Sequence, residues 1–166
     1  AKESLLLYQN RMDLQTRKVI YVVSGVAKGA TELSAFHRAL RSHQVQRYNF
    51  LFYTSVIPEG YRIAKESPPF VPEYFGAEAR IVGIINSTNK HGKTVAAGLG
   101  WVQDPTGKGY LVEHKGKTAV EVRGLITKSL LDMLKDEKEL VKPFTFDSQT
   151  VEIRCKSVPV SAYVAA

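Results

Sequence analysis

The 166-residue chain carries a single cysteine, Cys155. That excludes an internal disulfide and a cysteine-rich metal site, and the residue reads most simply as a small core side chain. Long apolar runs are also missing. The longest, such as Val19-Ile20-Tyr21-Val22-Val23, is far short of the roughly 20 residues a membrane-crossing helix needs. No charged-then-apolar leader opens the sequence, so the expectation is a soluble, cytoplasmic protein without a membrane partner. His37, His43, His91 and His114 lack a convincing ligand spacing, and no metal is expected. Internal repeats and low-complexity segments are absent.

A dense basic block is missing too, although the formal charge is +7. The cations are dispersed through Lys2, Lys18, Lys28, Arg38, Arg62, Lys90, Lys108, Lys128 and Lys142, which argues against a nucleic-acid partner. Arg47-Tyr48-Asn49-Phe50 interleaves a base with aromatics, but the alternation fits a strand with one buried face better than a base-stacking platform.

What is present suits one domain over residues 1–166, long enough to bury a core, with 44% apolar residues. Residues 2–13, with Leu5-Leu6-Leu7-Tyr8, read as a short helix or an arm packing on a neighbour. Residues 17–24 predict a first buried strand, ended by a loop holding Gly25 and Gly29. Thr31 can cap a helix whose buried stripe is Leu33, Phe36 and Leu40, with His37 beside it. Pro68, Pro69 and Pro72 keep residues 67–72 extended. Residues 80–86 and 94–103 predict strands, the second with Gly98 and Gly100 where bulk would obstruct a close neighbour. Asp104-Pro105-Thr106-Gly107-Lys108-Gly109 is a turn that makes 94–103 and 110–115 a hairpin. Thr118 caps a helix reaching to about Lys138, with Val122, Leu125, Ile126, Leu130, Met133 and Leu134 on its inner face. A last strand or two follows over 150–164. Strands separated by single helices, with hairpins among them, indicate two layers of antiparallel or mixed sheet covered by helices.

The stretch with chemical content is Tyr48-Asn49-Phe50-Leu51-Phe52-Tyr53-Thr54-Ser55-Val56-Ile57-Pro58-Glu59-Gly60. A near-unbroken aromatic and aliphatic run stops at a Thr-Ser pair and meets an Ile-Pro turn. It predicts a buried strand that delivers Ser55 to a sharp corner. There the Ser55 hydroxyl lies close to the Thr54 carbonyl, and a strained peptide plane permits N-to-O acyl transfer. On these residues alone, a solvated turn is the ordinary reading.

The wider context is more specific. Val22-Val23-Ser24-Gly25-Val26-Ala27-Lys28-Gly29 precedes Leu33-Ser34-Ala35-Phe36, then Tyr48-Asn49-Phe50-Leu51, then Thr54-Ser55-Val56-Ile57-Pro58. In this order the chain resembles the pyruvoyl-dependent arginine decarboxylases, and the similarity continues thinly through Phe70-Val71-Pro72 and Tyr110-Leu111-Val112-Glu113-His114. The resemblance implies an α+β four-layer αββα sandwich that assembles as a trimer or dimer of trimers, with active sites between subunits. It implies self-cleavage at Thr54-Ser55 into residues 1–54 and 55–166, with Ser55 converted to a pyruvoyl group. That ketone is the electron sink for decarboxylating an amino acid without pyridoxal phosphate or a metal; the implied reaction turns arginine into agmatine for polyamine synthesis or acid consumption.

By the same resemblance, Asn49 assists processing, where its amide would stabilise an oxyanion. Glu113 would protonate the substrate carbon, a task suited to a carboxyl with a raised pKa among apolar neighbours. Leu33, His37 and Val56 would contact substrate. From residue type alone, Asn49 reads as a strand-edge hydrogen bond, Glu113 as a salt bridge from a polar face, and His37 as the rim of the helix stripe. His37 departs from the family: arginine-specific members carry an aspartate there, which grips guanidinium through a bidentate pair that histidine cannot form. The substrate is then another amino acid, or another carboxylate such as Glu32 is recruited. The alternative reading is an unprocessed, non-catalytic relative that acts as an assembly or regulatory partner.

Overall fold

The strands fall into four small sheets, and the points where the chain passes from one to another position the site. The computed structural model describes residues 18–166; the element expected over residues 2–13 lies outside them. In order come β1 (Val19–Tyr21), β2 (Val23–Lys28), α1 (Glu32–Leu40), a 3-10 turn (Arg41–His43), β3 (Asn49–Phe52), β4 (Val56–Ile57) and β5 (Arg62–Ala64). They are followed by β6 (Glu78–Ile81), β7 (Gly83–Thr88), β8 (Thr94–Gln103), β9 (Gly109–Gly116), α2 (Ala119–Lys135), β10 (Thr145–Arg154) and β11 (Val160–Ala165). The described chain is α+β.

A four-stranded antiparallel sheet runs β10-β8-β9-β4 and a three-stranded antiparallel one β2-β11-β7, while β1 pairs with β5 and β3 with β6, both in parallel. Two runs that read as single strands are divided by a change of partner. The run over 17–24 breaks at Val22, whose N–H goes to Ala64, and the run over 80–86 breaks at Val82, which exchanges backbone bonds with Ala166. Both valines are buried. The β-branched run makes each segment extended, but only the neighbouring strands decide where pairing changes.

Three apolar clusters hold these layers. Leu99, Trp101, Leu111, Val160, Ala162 and Val164 belong to a core that joins the two larger sheets, and the Asn86 amide crosses between them by donating to the Ala96 and Gly116 carbonyls at 3.0 Å. Val23, Ala39, Leu40, Ile81 and Tyr163 pack α1 onto β2, β6 and β11. Ala96, Val102, Val112, Val122, Ile126 and Leu130 pack α2 onto β8 and β9.

Glycines set how closely the helices sit. A Cβ at Gly100 would lie 2.0 Å from Ile126 Cγ2 and one at Gly98 2.4 Å from Val122, so the close approach expected on β8 is α2 itself. Gly25 stands inside β2 rather than in a loop, because a Cβ there would meet the Ala39 carbonyl at 2.5 Å.

Thr31 and Thr118 cap the two helices as expected, accepting from the backbone N–H of Ser34 and Glu121. The buried stripe of α1 differs from the expected one: Ala35, Ala39 and Leu40 are buried, and Leu33 is 76% exposed. Small alanines face the sheet because Gly25 draws the helix too near for leucine at those positions. The inner face of α2 is Val122, Ile126 and Leu130; Met133 is exposed and the helix ends at Lys135, three residues early. Cys155 is buried, its thiol on the Val158 carbonyl. Among the described residues no helix is long and apolar enough to cross a membrane, and no three His, Cys, Asp or Glu side chains gather as a metal site.

Candidate active site

The Thr54–Ser55 peptide spans two sheets. Upstream, the Tyr53 N–H donates to the Ile81 carbonyl at 2.7 Å, extending the β3–β6 pairing one residue past Phe52. Downstream, the Ser55 carbonyl accepts from the Leu111 N–H at 2.8 Å, which begins the β4–β9 pairing. Only Thr54 lies between the two anchors, so the peptide has almost no slack. Ser55 forms the bend and is half-buried, while Thr54 is exposed.

The strand feeding this corner is less covered than expected. Phe50 turns inward, with Tyr48, onto the α1 cluster, but Leu51, Phe52 and Tyr53 are 40%, 58% and 52% exposed. β3 has one paired neighbour, β6, and nothing in the described chain covers its outer face. The run is apolar, and in this chain it is not buried.

Beyond the corner the backbone is clamped by the β8–β9 hairpin. Gly107 turns with φ +91°, and the Thr106 carbonyl accepts from the Gly60 N–H at 2.8 Å. Gln103 Nε2 donates to the Tyr61 and Gly107 carbonyls at 2.9 and 2.8 Å. Asp104 organises the turn, taking the Thr106 N–H and hydroxyl on one carboxylate oxygen and the Val141 N–H on the other. These bonds, led by the Thr106 hydroxyl, hold the Asp104 carboxyl below its ordinary value.

A cavity of about 510 Å³ opens beside the corner, with Thr54, Val56 and Pro58 on its wall. Tyr21, Tyr48, Phe50, Tyr53, Tyr61 and Phe70 join aliphatic residues in a mainly apolar wall, and Glu78 and Arg80 are its charged side chains among the described residues. Tyr21 and Phe70 meet edge to face at 5.8 Å. Burial pushes the Tyr48 phenol up, so it remains a hydrogen-bond donor.

Glu113 enters the site through β9. Leu111 faces the core between the sheets and Tyr110 and Val112 face α2, so strand alternation places Glu113 on the Leu111 side. It lies about 7 Å along the strand from the residue that holds Ser55. The ion pairs of the described residues are Lys65–Asp147 and Lys135–Asp132; Glu113 forms no such bridge.

The other expected site residues lie elsewhere. Asn49 begins β3, at the end away from Ser55, and its amide donates to the Gly76 carbonyl at 2.9 Å. That is the strand-edge bond its residue type suggested. Leu33 and His37 are exposed, one turn apart on α1, and neither lines the cavity. Val56 does line it and is 65% exposed. The structure thus gathers Thr54, Ser55 and Val56 at one corner; Glu113, on the neighbouring β9, does not line the cavity, and Asn49, Leu33 and His37 stand apart from it. Ile81, Leu111 and Arg80 were missed in the sequence, because each reaches the corner through pairing with a strand distant in the chain.

Comparison with known proteins identifies the family. The profile of the family described as pyruvoyl-dependent arginine decarboxylase (PvlArgDC) matches residues 19–165. Pyruvoyl-dependent arginine decarboxylase 2 of Archaeoglobus fulgidus is 28% identical over 102 residues, 60% of this chain and 65% of its own length. The pyruvoyl-dependent arginine decarboxylase of Methanocella arvoryzae is 30% identical over 100 residues, 58% of this chain and 60% of its own. That of Picrophilus torridus is 27% identical over 97 residues, covering 57% and 53%. Each match spans less than two thirds of the relative's length. Matched by the family profile across nearly all its described residues, the chain belongs to the pyruvoyl-dependent arginine decarboxylase family.

Proposed function

We propose that the chain cleaves itself at Thr54–Ser55, that Ser55 becomes a pyruvoyl group, and that the product decarboxylates arginine or a related amino acid. The observation that carries this reading is the peptide stretched between two sheets. Its anchors at Tyr53 and Ser55 leave one residue to make the crossing, which is where local strain would favour attack of a hydroxyl on its own backbone. The same anchors would keep both new ends in place after cleavage, the first on β6 and the second on β9.

The residues present fit the group. Ser55 sits at a half-buried bend beside a mainly apolar cavity, and the Leu111 N–H would go on holding its carbonyl. When formed, a pyruvoyl ketone takes up the substrate amine and accepts the electron pair left as carbon dioxide departs. The chain's own part is then to enclose and to deliver a proton. In an assembled oligomer Val56 and the apolar wall would help to exclude water, and the Glu113 carboxyl, unpaired by any cation of the described residues, would protonate the substrate carbon.

We take the fold to be a four-layer αββα sandwich, supported by α1 on β2 and β11, α2 on β8 and β9, and the core joining the two larger sheets. A homo-oligomer, as a trimer or dimer of trimers, is supported by the uncovered Leu51, Phe52, Tyr53 and Val56 around the corner. In such an assembly the exposed Leu33 and His37 would meet the corner of a second copy, and Asn49 would act there rather than on its own Ser55.

Intact mass under denaturing conditions, fresh and after warm incubation, tests the reading. Two fragments, residues 1–54 and 55–166, with the larger blocked to N-terminal sequencing, are expected. A persistent single species of full length overturns it.

A further inference from the structure

We propose that Arg80 is the counter-cation for the carboxylate expelled when the chain cleaves, a role that rests on self-cleavage at Thr54–Ser55. Arg80 lies on β6 and Thr54 just past the end of its parallel partner β3, three residues apart in register. Tyr53 donates its N–H to Ile81; Thr54 follows Tyr53, and Arg80 precedes Ile81. The guanidinium carbon lies 5.7 Å from the Tyr53 ring centroid, a cation–π contact that draws the charge toward the residue preceding Thr54. Among the described residues, Arg80 is the basic side chain on the cavity wall that also carries Thr54. Neither ion pair of the described residues involves it, so its charge has no carboxylate partner there.

The other charged wall residue is placed less well. Glu78 stands opposite Asn49 and Arg80 opposite Leu51 in the β3–β6 register. Thr54 is five residues beyond the first and three beyond the second, a difference of about 7 Å of extended chain. A negative charge appearing at Thr54 therefore meets Arg80 before it meets Glu78.

The cleavage chemistry makes such a charge. When the Ser55 hydroxyl attacks the Thr54 carbonyl, the carbon–nitrogen bond breaks, the hydroxyl proton passes to the nitrogen, and Thr54 is left as an ester on Ser55 Oγ. Transfer of the Ser55 Cα proton to water then breaks the Cβ–Oγ bond. The electron pair leaves with the oxygen as the Thr54 carboxylate, and the residue left behind is dehydroalanine. Its imine tautomer takes up water and loses ammonia to give the ketone, with no oxidant or reductant required. Ester formation passes through a transient oxyanion on the Thr54 carbonyl that collapses to a neutral ester, whereas elimination leaves a full and lasting anion in a mainly apolar cavity. A guanidinium at that point favours the second step by a charge-assisted hydrogen bond to the leaving oxygen.

The test separates the two steps with hydroxylamine, which opens the ester to a Thr54 hydroxamate and a free Ser55 amine but does not act on a finished pyruvoyl end in that way. Wild type, Arg80→Gln and Arg80→Lys are incubated, and samples are taken with and without hydroxylamine for intact mass and N-terminal sequencing. Arg80→Gln is expected to form the blocked fragment roughly tenfold more slowly than wild type, since a charge-assisted hydrogen bond is lost, and to accumulate hydroxylamine-released fragment that sequences from Ser55. Arg80→Lys keeps the charge and is expected to recover most of the rate. Equal rates and no accumulated ester in Arg80→Gln overturn the role of Arg80 while leaving self-cleavage intact. Arg80→Lys behaving as Arg80→Gln does, with no ester in either, also overturns it, because the defect then precedes elimination. A wild-type chain that never cleaves removes the processing reading and this proposal with it.

Discussion

β3 and β8 are both runs of apolar residues, and the chain surrounds them differently. β8 has a hydrogen-bonded partner on each edge, α2 on one face and the three-stranded sheet on the other; Leu99 and Val102 are fully buried. β3 has one partner; Phe50 packs inward, while Leu51 and Tyr53 on the other face, and Phe52 at the strand's end, are exposed. Hydrophobic content alone therefore says that a strand will be covered by something, not that its own chain will do it. In β8 the apolar residues stabilise the fold. In β3 they lead to the corner at Ser55, where a second copy would find them.

The largest expected effect is at the corner itself. Ser55→Ala removes the only hydroxyl that can attack the Thr54 carbonyl from the downstream side, and mass spectrometry should show no fragments at any incubation time. Arginine-dependent release of carbon dioxide should vanish with them. Cleavage persisting in Ser55→Ala would detach the corner from its proposed chemistry.

Next come paired truncations that measure the comparison directly. Leu99→Ala should cost about 2–5 kcal/mol in denaturant unfolding, as deletions in filled cores do. Leu51→Ala should change the stability of the isolated chain by no more than about 0.5 kcal/mol, the range of an ordinary surface substitution. A comparable cost at both sites would mean that β3 is covered within the chain after all. The same comparison can be read in assembly: Phe52→Ser should reduce the oligomer seen in light scattering while leaving the far-ultraviolet spectrum unchanged. An unchanged particle size would place the interface elsewhere.

The smallest expected effect concerns the clamp beyond the corner. The hydrogen bonds to Asp104, that of the Thr106 hydroxyl first, lower its folded-state pKa below the ordinary aspartate value of 3.8. The unfolded chain therefore takes up this proton at higher pH than the folded chain does. The carboxylate's contribution to stability is present above about pH 4 and is lost as pH falls through the folded value, beneath 3.8. In unfolding titrations, Asp104→Asn should be less stable than wild type at neutral pH, and the gap should narrow in acid. A gap that stays constant with pH would show that the carboxylate's charge is not what the turn uses.

Many of these elements were legible from local chemistry. The Thr31 and Thr118 caps, the turn from Asp104 to Gly109 and the hairpin around it depend on residues close in sequence, and so they read correctly. So did the need for Gly98 and Gly100, although which neighbour required them did not. The errors are tertiary. Leu33 fell outside the buried stripe because the face of α1 that meets the sheet is the one carrying Ala35 and Ala39, where the Ala39 carbonyl closes on Gly25. The strands over 17–24 and 80–86 divide at Val22 and Val82 because their partners change there. At the site, Ser55 and Glu113 carried signals in their own neighbourhoods, whereas Leu111, Ile81 and Arg80 did not.

By itself the sequence determined that this protein would be an α+β chain with a serine at the end of an apolar strand, since periodicity, caps and turns are short-range properties of adjacent residues. Only the tertiary structure decided that the peptide before that serine would cross from one sheet to another and that the apolar strand would remain open on one side. Those outcomes depend on which distant strands occupy the neighbouring edges and faces, and backbone hydrogen bonds between strands carry no mark of their partner in local sequence.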